Sequence, residues 1–245
     1  SMTQKYPHGD KVLSPGTVIV SAVGETTDIR KAVSPVLHNV KSELIYIDLS
    51  KDALKLGGSA FAQIINGVGT DCPDVTDTEY FAKAFNAVQS LIESGLVIAG
   101  HDVSAGGLVT TLLEMAFSND ETGLNINLAD FGESDPVKLL FAENPALVLQ
   151  VAADGKAADA LKKAGVAFKT IGTLGTAGKL DIAAGANSYS FADWLSTPRF
   201  RRRHSYPCAR QSRPAGCFPI HRQVQIGCLQ CDRTSYRVPT TLQTS

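Results

Sequence analysis

His101-Asp102-Val103-Ser104-Ala105-Gly106-Gly107-Leu108 is the stretch from which the rest of the chain is read. An apolar run, residues 96–99 (LVIA), leads into it, and residues 108–117, apolar at helical spacing, lead away. Strand, polar turn, two glycines and helix in succession aim backbone N–H groups at one point, the arrangement that receives an anion. His101, Asp102 and Ser104 fall where their side chains face that point. The plainer reading makes Asp102 or Ser104 a helix cap and gives the glycines to a tight turn.

Outward from this stretch, strand and helix patterns are mixed. Residues 17–23 (TVIVSAV) and 43–49 (ELIYIDL) read as strands. Thr26-Thr27-Asp28 caps a short helix that must end before Pro35. Leu56-Gly57-Gly58-Ser59 opens a helix with Phe61, Ile64, Ile65 and Val68 on its apolar side. The longest helix is expected over residues 77–94, with Phe81, Phe85, Val88, Leu91 and Ile92 inward and Gly95 as its stop. On the other side, residues 123–128 (GLNINL) alternate as a half-exposed strand does, and Pro136 starts a short helix to residue 141. A strand at 146–151, a helix at 155–164, and strands at 166–174 and 179–183 joined by a glycine-rich turn complete the pattern, which ends at Trp194. The order predicts one α/β (α+β) domain, a mixed sheet packed with helices on one or both faces. It lacks the even alternation of a doubly wound nucleotide fold.

The chain has 245 residues, 44% hydrophobic and 19% charged, the balance of a soluble globular protein. No apolar run reaches the roughly 18 residues of a membrane span. Polar residues 1–11 lack a signal-peptide core, so cytoplasmic residence without a membrane partner is expected. The net charge of −1 hides an asymmetry. Nine of the 23 Lys and Arg but one of the 24 acids lie in residues 198–245, which leaves 14 basic against 23 acidic residues before them. Cys208, Cys217, Cys228 and Cys231 also lie in that tail, and Cys72 alone in the body suits a reduced compartment.

The expected division is therefore a linker at 1–12 with Ser1 left from cloning, a domain at 13–197, and a disordered or non-native tail at 198–245. The charge reversal and the cysteine count lead us to expect a reading-frame shift or other sequence artefact in the tail, which an in-frame natural gene would refute. Cys228-x-x-Cys231 with Cys217 and His221 invites a zinc reading, but the Cys208 to Cys217 spacing is wrong for a second knuckle and no apolar periodicity surrounds it. Arg201-Arg202-Arg203 lacks interleaved aromatics, so no nucleic-acid partner is expected.

Gly57-Gly58 and Gly106-Gly107 each precede a helix. A glycine there lets a phosphate approach the backbone N–H groups with no Cβ in the way. The pull of one exposed helix end is only about 0.3–1 kcal/mol, so a nucleotide needs further donors. Neither pair fits the Walker pattern, and no Gly-x-Gly-x-x-Gly follows a strand. The candidate phosphate contacts are Ser104, Gly106, Gly107, Gly57, Gly58 and Ser59. Asp102, a carboxylate at a strand end beside this cradle, is the candidate Mg²⁺ ligand, since Mg²⁺ takes one or two carboxylates plus phosphate oxygens and water. His101 is the candidate general acid or base, with a satisfied structural histidine as the alternative. Glu114 and the pair Glu143-Asn144 could reach the same cluster. Cys72 lies in a polar loop without a nucleophile elbow.

KLGGSAFAQIINGVG (residues 55–69), GHDVSAGGLVTTLLEMAFS (100–118) and LLFAENPALVLQV (139–151), in this order, resemble the phosphoribosylformylglycinamidine synthase family. The match is to the C-terminal domain of its second synthetase half, a fold shared with aminoimidazole ribonucleotide (AIR) synthetase and selenophosphate synthetase, and it covers about residues 13–194. The resemblance implies a ligase of de novo purine synthesis that converts formylglycinamide ribonucleotide, glutamine and ATP to the amidine, ADP, phosphate and glutamate. ATP would phosphorylate the amide oxygen, and ammonia from a glutaminase domain would displace the phosphate. It also implies ATP and Mg²⁺ as cofactors, Asp102 as metal ligand, Ser104 as ATP contact and Gly106-Gly107 as a phosphate-holding helix start. The implied partners are N-terminal synthetase domains and a glutaminase domain outside this chain, which alone is expected to be inactive. The alternatives are another ATP-dependent enzyme of the same superfamily, or a stand-alone phosphate-binding regulatory module.

Overall fold

The computed structural model describes residues 3–5, 7–9, 11–13, 24, 28–119 and 121–192. The expected strand at 17–23, Thr26-Thr27, Trp194 and the basic tail lie outside the described residues. The chain divides into two units, Ser1–Glu25 with Phe218–Ser245, and Thr26–Cys217. In the first, β1 (Thr3–Lys5) and β2 (Lys11–Leu13) form an antiparallel ribbon with Thr3 opposite Leu13, where the sequence suggested only a linker.

The second unit is built on a seven-stranded sheet. Its strands are β3 (Ser42–Asp48), β4 (Val97–Val103), β5 (Gly123–Asn127), β6 (Ala146–Ala152), β7 (Lys169–Gly175), β8 (Lys179–Ala184) and β9 (Asn187–Ala192), in the order β4-β6-β3-β7-β5-β8-β9. Every neighbouring pair is antiparallel except β5 and β8, so the sheet is mixed, as expected. Successive side chains of a strand point to opposite faces. In β3 that sends Leu44 and Tyr46 one way and Ile45 and Ile47 the other, and all four are buried. A strand covered on both sides reads as a continuous apolar run, which is how ELIYIDL looks.

Helices cover both faces. On the first lie α3 (Gly107–Phe117) and α4 (Pro136–Phe141), which bury Leu108, Leu112, Met115, Leu139 and Leu140 against Leu44, Tyr46 and Val148. On the second lie α2 (Thr78–Glu93) and α5 (Lys156–Lys163), with Tyr80, Ala84, Val88, Leu91 and Leu161 against Ile45, Ile47 and Val151. Each large apolar side chain so enclosed contributes about 1.5–3 kcal/mol. Asp77 caps α2 by accepting the Tyr80 N–H at 2.8 Å, and Gly95 closes it in the left-handed region.

Three sequence expectations need correction. The inward face of α2 includes Val88 and Leu91, with Phe81 and Ile92 packed against the core as expected, but Tyr80 and Ala84 complete the stripe and Phe85 is exposed. The helix after Gly58 is only α1 (Ala60–Ile64), ended by Asn66 at φ 55° and the Gly67 N–H turning back to the Ala62 carbonyl, so Ile64, Ile65 and Val68 are exposed rather than inward. Where a short helix is expected before Pro35, the described residues 28–34 hold a single 3₁₀ turn, Ile29–Lys31, capped by Asp28. The two strands joined by the glycine-rich turn are present as β7 and β8, and β5 lies between them in the sheet. The link at 176–178 passes over the start of β5, where a Cβ on Gly123 would run into the carbonyl oxygens of Thr176 and Lys179.

Candidate functional site

β4 continues through His101 and Asp102 to Val103, so these residues belong to the strand and the turn begins at Ser104. β4 lies at the sheet edge, its Gly100 N–H donating to the Ser34 carbonyl at 3.1 Å. His101 faces α3. Its Nδ1 lies 2.8 Å from the Asp102 carbonyl oxygen and 3.3 Å from the Asp102 carboxylate, and its Nε2 lies 3.1 Å from the Glu114 carboxylate. Both ring nitrogens therefore act as donors when the ring is charged. The His101 side chain is only 7% exposed, whereas that of Asp102 is 52% exposed. Burial pulls the His101 pKa down, but hydrogen bonds to the Asp102 side chain and backbone and the negative charges of Asp102 and Glu114 outweigh it, leaving a net upward shift.

The consequence for pH has a definite sign. A raised folded-state pKa means that His101 adds stability fully below its unfolded value of about 6.5 and loses it as pH rises through the folded value. Glu114→Gln is expected to lower the His101 pKa, read from imidazole proton shifts against pH, and to shrink that loss of stability. An unchanged titration midpoint would show that Glu114 is not the partner that holds the proton.

Neither Asp102 nor Ser104 caps α3. The cap position is Gly106, at φ 93°, with no side chain of its own to offer. Its N–H instead donates to Glu143 Oε1 at 2.7 Å. The same oxygen accepts the N–H of Ala60, the first residue of α1, at 2.8 Å. The two glycine pairs, far apart in sequence, thus meet at one carboxylate. Asn144, buried beside it, accepts the Lys55 N–H and donates to Ser50 Oγ and the Ala53 carbonyl, which fixes the loop leading to Gly57.

The remaining glycine-loop amides also have protein acceptors. Gly57 donates to the Asp71 carbonyl, Gly58 to Val68, Ser59 to Leu56 and Gly107 to Ser104. Ser59 is a helix cap, its Oγ accepting the Ala62 N–H at 3.1 Å and donating to the Leu56 carbonyl at 2.7 Å. Gly107 is required for close packing as well as for its φ of 72°, since a Cβ there would stand 2.6 Å from Phe141 Cα. The structure therefore brings both loops together while Asp102 and Ser104 remain exposed at their edge.

Glu143, which the sequence offers with Asn144 as a residue that could reach the cluster, does reach it, as the acceptor that joins the two loops. Its only signal was a charged residue, with Asn144, immediately before an apolar strand. Cys72 is half-buried, its Sγ lying where a Cβ on Gly58 would be 3.6 Å away. Among the described residues no group of three or more His, Cys, Asp or Glu is placed to hold a metal ion. Among them, too, no helix is long and apolar enough to cross a membrane.

A mixed sheet with helices on both faces, and two glycine-rich helix starts joined beside an exposed Asp and Ser, agrees with a family comparison. Residues 42–184 match the family "AIR synthase related protein, C-terminal domain", and the chain belongs to that family. It is 43% identical over 148 residues to the probable phosphoribosylformylglycinamidine synthase, chloroplastic/mitochondrial, of Arabidopsis thaliana, covering 60% of this chain and 10% of that protein. To the human phosphoribosylformylglycinamidine synthase it is 38% identical over 174 residues, 69% of this chain and 13% of that one. The chain thus spans about a tenth of the length of these curated relatives. Among solved structures, Thermotoga maritima PurL complexed with FGAR superposes with a TM-score of 0.55 at 13% identity, covering 81% of this chain and 34% of that one. T. maritima PurL complexed with ATP gives 0.53 at 13% identity, covering 67% and 27%. These likenesses establish the shared fold.

Proposed function

We propose that this chain is the C-terminal domain of the second synthetase half of a phosphoribosylformylglycinamidine synthase. That enzyme is an ATP-dependent ligase forming formylglycinamidine ribonucleotide in purine biosynthesis. The observation that carries this reading is the run of relatives bearing that name at 34–43% identity. The domain lies within residues 13–197, with its family match over 42–184, and the remaining synthetase domains and the glutaminase domain come from elsewhere in a longer polypeptide. Cytoplasmic residence belongs to the same proposal, although the Arabidopsis relative is named as chloroplastic/mitochondrial.

Asp102 is a reasonable fit for one Mg²⁺ position. Its carboxylate is half exposed at a strand end and is braced by His101. A single protein carboxylate suffices where phosphate oxygens and water complete the shell, as Mg²⁺ prefers. When bound, the ion would neutralise charge on the phosphates of ATP. Ser104 presents a hydroxyl to the same edge and hydrogen-bonds a phosphate oxygen. The glycine loops shape the floor, because their amides already serve protein acceptors. His101 acts on Asp102, which it orients, and its enclosure between Asp102 and Glu114 keeps it from the substrate.

The test is calorimetric titration of Mg·ATP, and separately of the formylglycinamide ribonucleotide, into the longer polypeptide carrying Asp102→Asn or Ser104→Ala. A hydrogen bond to a charged group is worth about 1.5–3 kcal/mol, so Ser104→Ala should weaken Mg·ATP about 10- to 100-fold with the fold unchanged. Asp102→Asn should weaken it at least as much. Wild-type affinity in both variants would return the loop to a purely structural role.

A further inference from the structure

We propose that Glu143 is a positioning residue that locks the two glycine-rich loops into one frame, so that a single carboxylate sets where Asp102 and Ser104 meet a phosphate; this rests on the functional reading above. One atom, Oε1, takes the Gly106 N–H at 2.7 Å and the Ala60 N–H at 2.8 Å, from positions 37 and 83 residues away in sequence. Both N–H groups open helices, and the positive ends of two helices brought this close repel unless an anion stands between them. Gly106 has no side chain with which to cap α3, so the carboxylate supplies the acceptor that the loop lacks.

The neighbours of Glu143 bind the same two loops. Phe141 stacks on Phe61 of α1 with ring centroids 4.8 Å apart, and its backbone packs against Gly107. Asn144 pins residues 53 and 55 on the approach to the first loop. Residues 141–144 thus form a clasp with Glu143 at its centre. Moving one loop then requires moving the other, and Ser104, two residues before Gly106, moves with them. A merely structural cap would change the stability of one helix and leave the other loop, and the affinity of the folded protein, unchanged.

Glu143→Gln keeps the shape and an acceptor oxygen but removes the charge, and Glu143→Ala removes both. In each, nuclear magnetic resonance of the folded chain should show the Gly106 and Ala60 amide signals shifting together and exchanging with solvent faster by the same factor. Titration with Mg·ATP should show affinity reduced roughly 10- to 100-fold in Glu143→Ala, the range for a partner that orients a binding group, and by an intermediate factor in Glu143→Gln. The proposal is overturned if one amide responds without the other, or if the folded variants bind Mg·ATP as the wild type does. If the wild type itself does not bind Mg·ATP while the two amides still respond together, the functional reading fails and the clasp survives as a mechanical unit.

Discussion

Gly107→Ala is expected to destabilise the domain by about 3 kcal/mol or more, read as a fall in the urea midpoint at constant m. Two costs add. A residue with a Cβ held at φ 72° pays about 1–2 kcal/mol for the left-handed conformation. The added methyl would also stand 2.6 Å from Phe141 Cα and 2.7 Å from the Leu140 carbonyl oxygen, and backbone cannot swing aside as a side chain can. Forcing atoms into a filled site costs about 1–3 kcal/mol. Gly132→Ala is the control: its φ is also 72°, and nothing lies within 4 Å of the added Cβ, so only the conformational part should appear. Equal losses for the two variants would remove the packing claim. Since Gly107 joins α3 to the α4 end that leads to Glu143, the same variant should also disturb the Gly106 amide.

This result bears on how a glycine pair before a helix is to be read. The pattern at residues 101–108 suggested a cradle for an anion, and the structure does place an anion there, but it is the protein's own Glu143. Spacing showed that N–H groups would converge and could not show what they converge on, because the acceptor lies 37 residues downstream. The same division runs through the fold. Elements whose signal is local were legible: α2 with Asp77 and Gly95 at its ends, the both-sides-buried β3, and the alternation of Leu124 and Ile126 with exposed Asn125 and Asn127. What depended on distant partners was not. That β5 inserts between β7 and β8 is settled by Gly123 admitting the 176–178 link across it, which no window around that link reveals. The exposed Ile64, Ile65 and Val68 look inward-facing by period alone, yet the chain turns back before they reach any core.

Gln150→Leu is the second large effect, expected at about 3 kcal/mol, and it concerns the edge that carries the site. Residues 146–151 (ALVLQV) read as a plain apolar strand, but Gln150 in the centre of β6 is fully buried, level with Leu44 of β3 and Ala99 of β4. Its amide is satisfied on both sides: Oε1 accepts the His38 N–H at 2.9 Å, and Nε2 donates to the His38 carbonyl at 2.8 Å and to Ser42 Oγ at 2.7 Å. It therefore clamps the segment whose Leu37 enters the core and whose Ser34 carbonyl accepts from Gly100 of β4. Leucine would fill a similar volume and strand polar groups, each at about 1–3 kcal/mol where water cannot reach it. The segment should then loosen from β4, with faster hydrogen exchange at the Gly100 amide. An uncovered edge strand also invites pairing between chains, so light scattering should rise with protein concentration in the variant and stay flat in the wild type. A thermal midpoint equal to wild type with unchanged exchange at Gly100 would show that the clamp contributes nothing. Lost stability without faster exchange there would confine the role of Gln150 to the core and leave the edge, and with it the approach to Asp102, independently held.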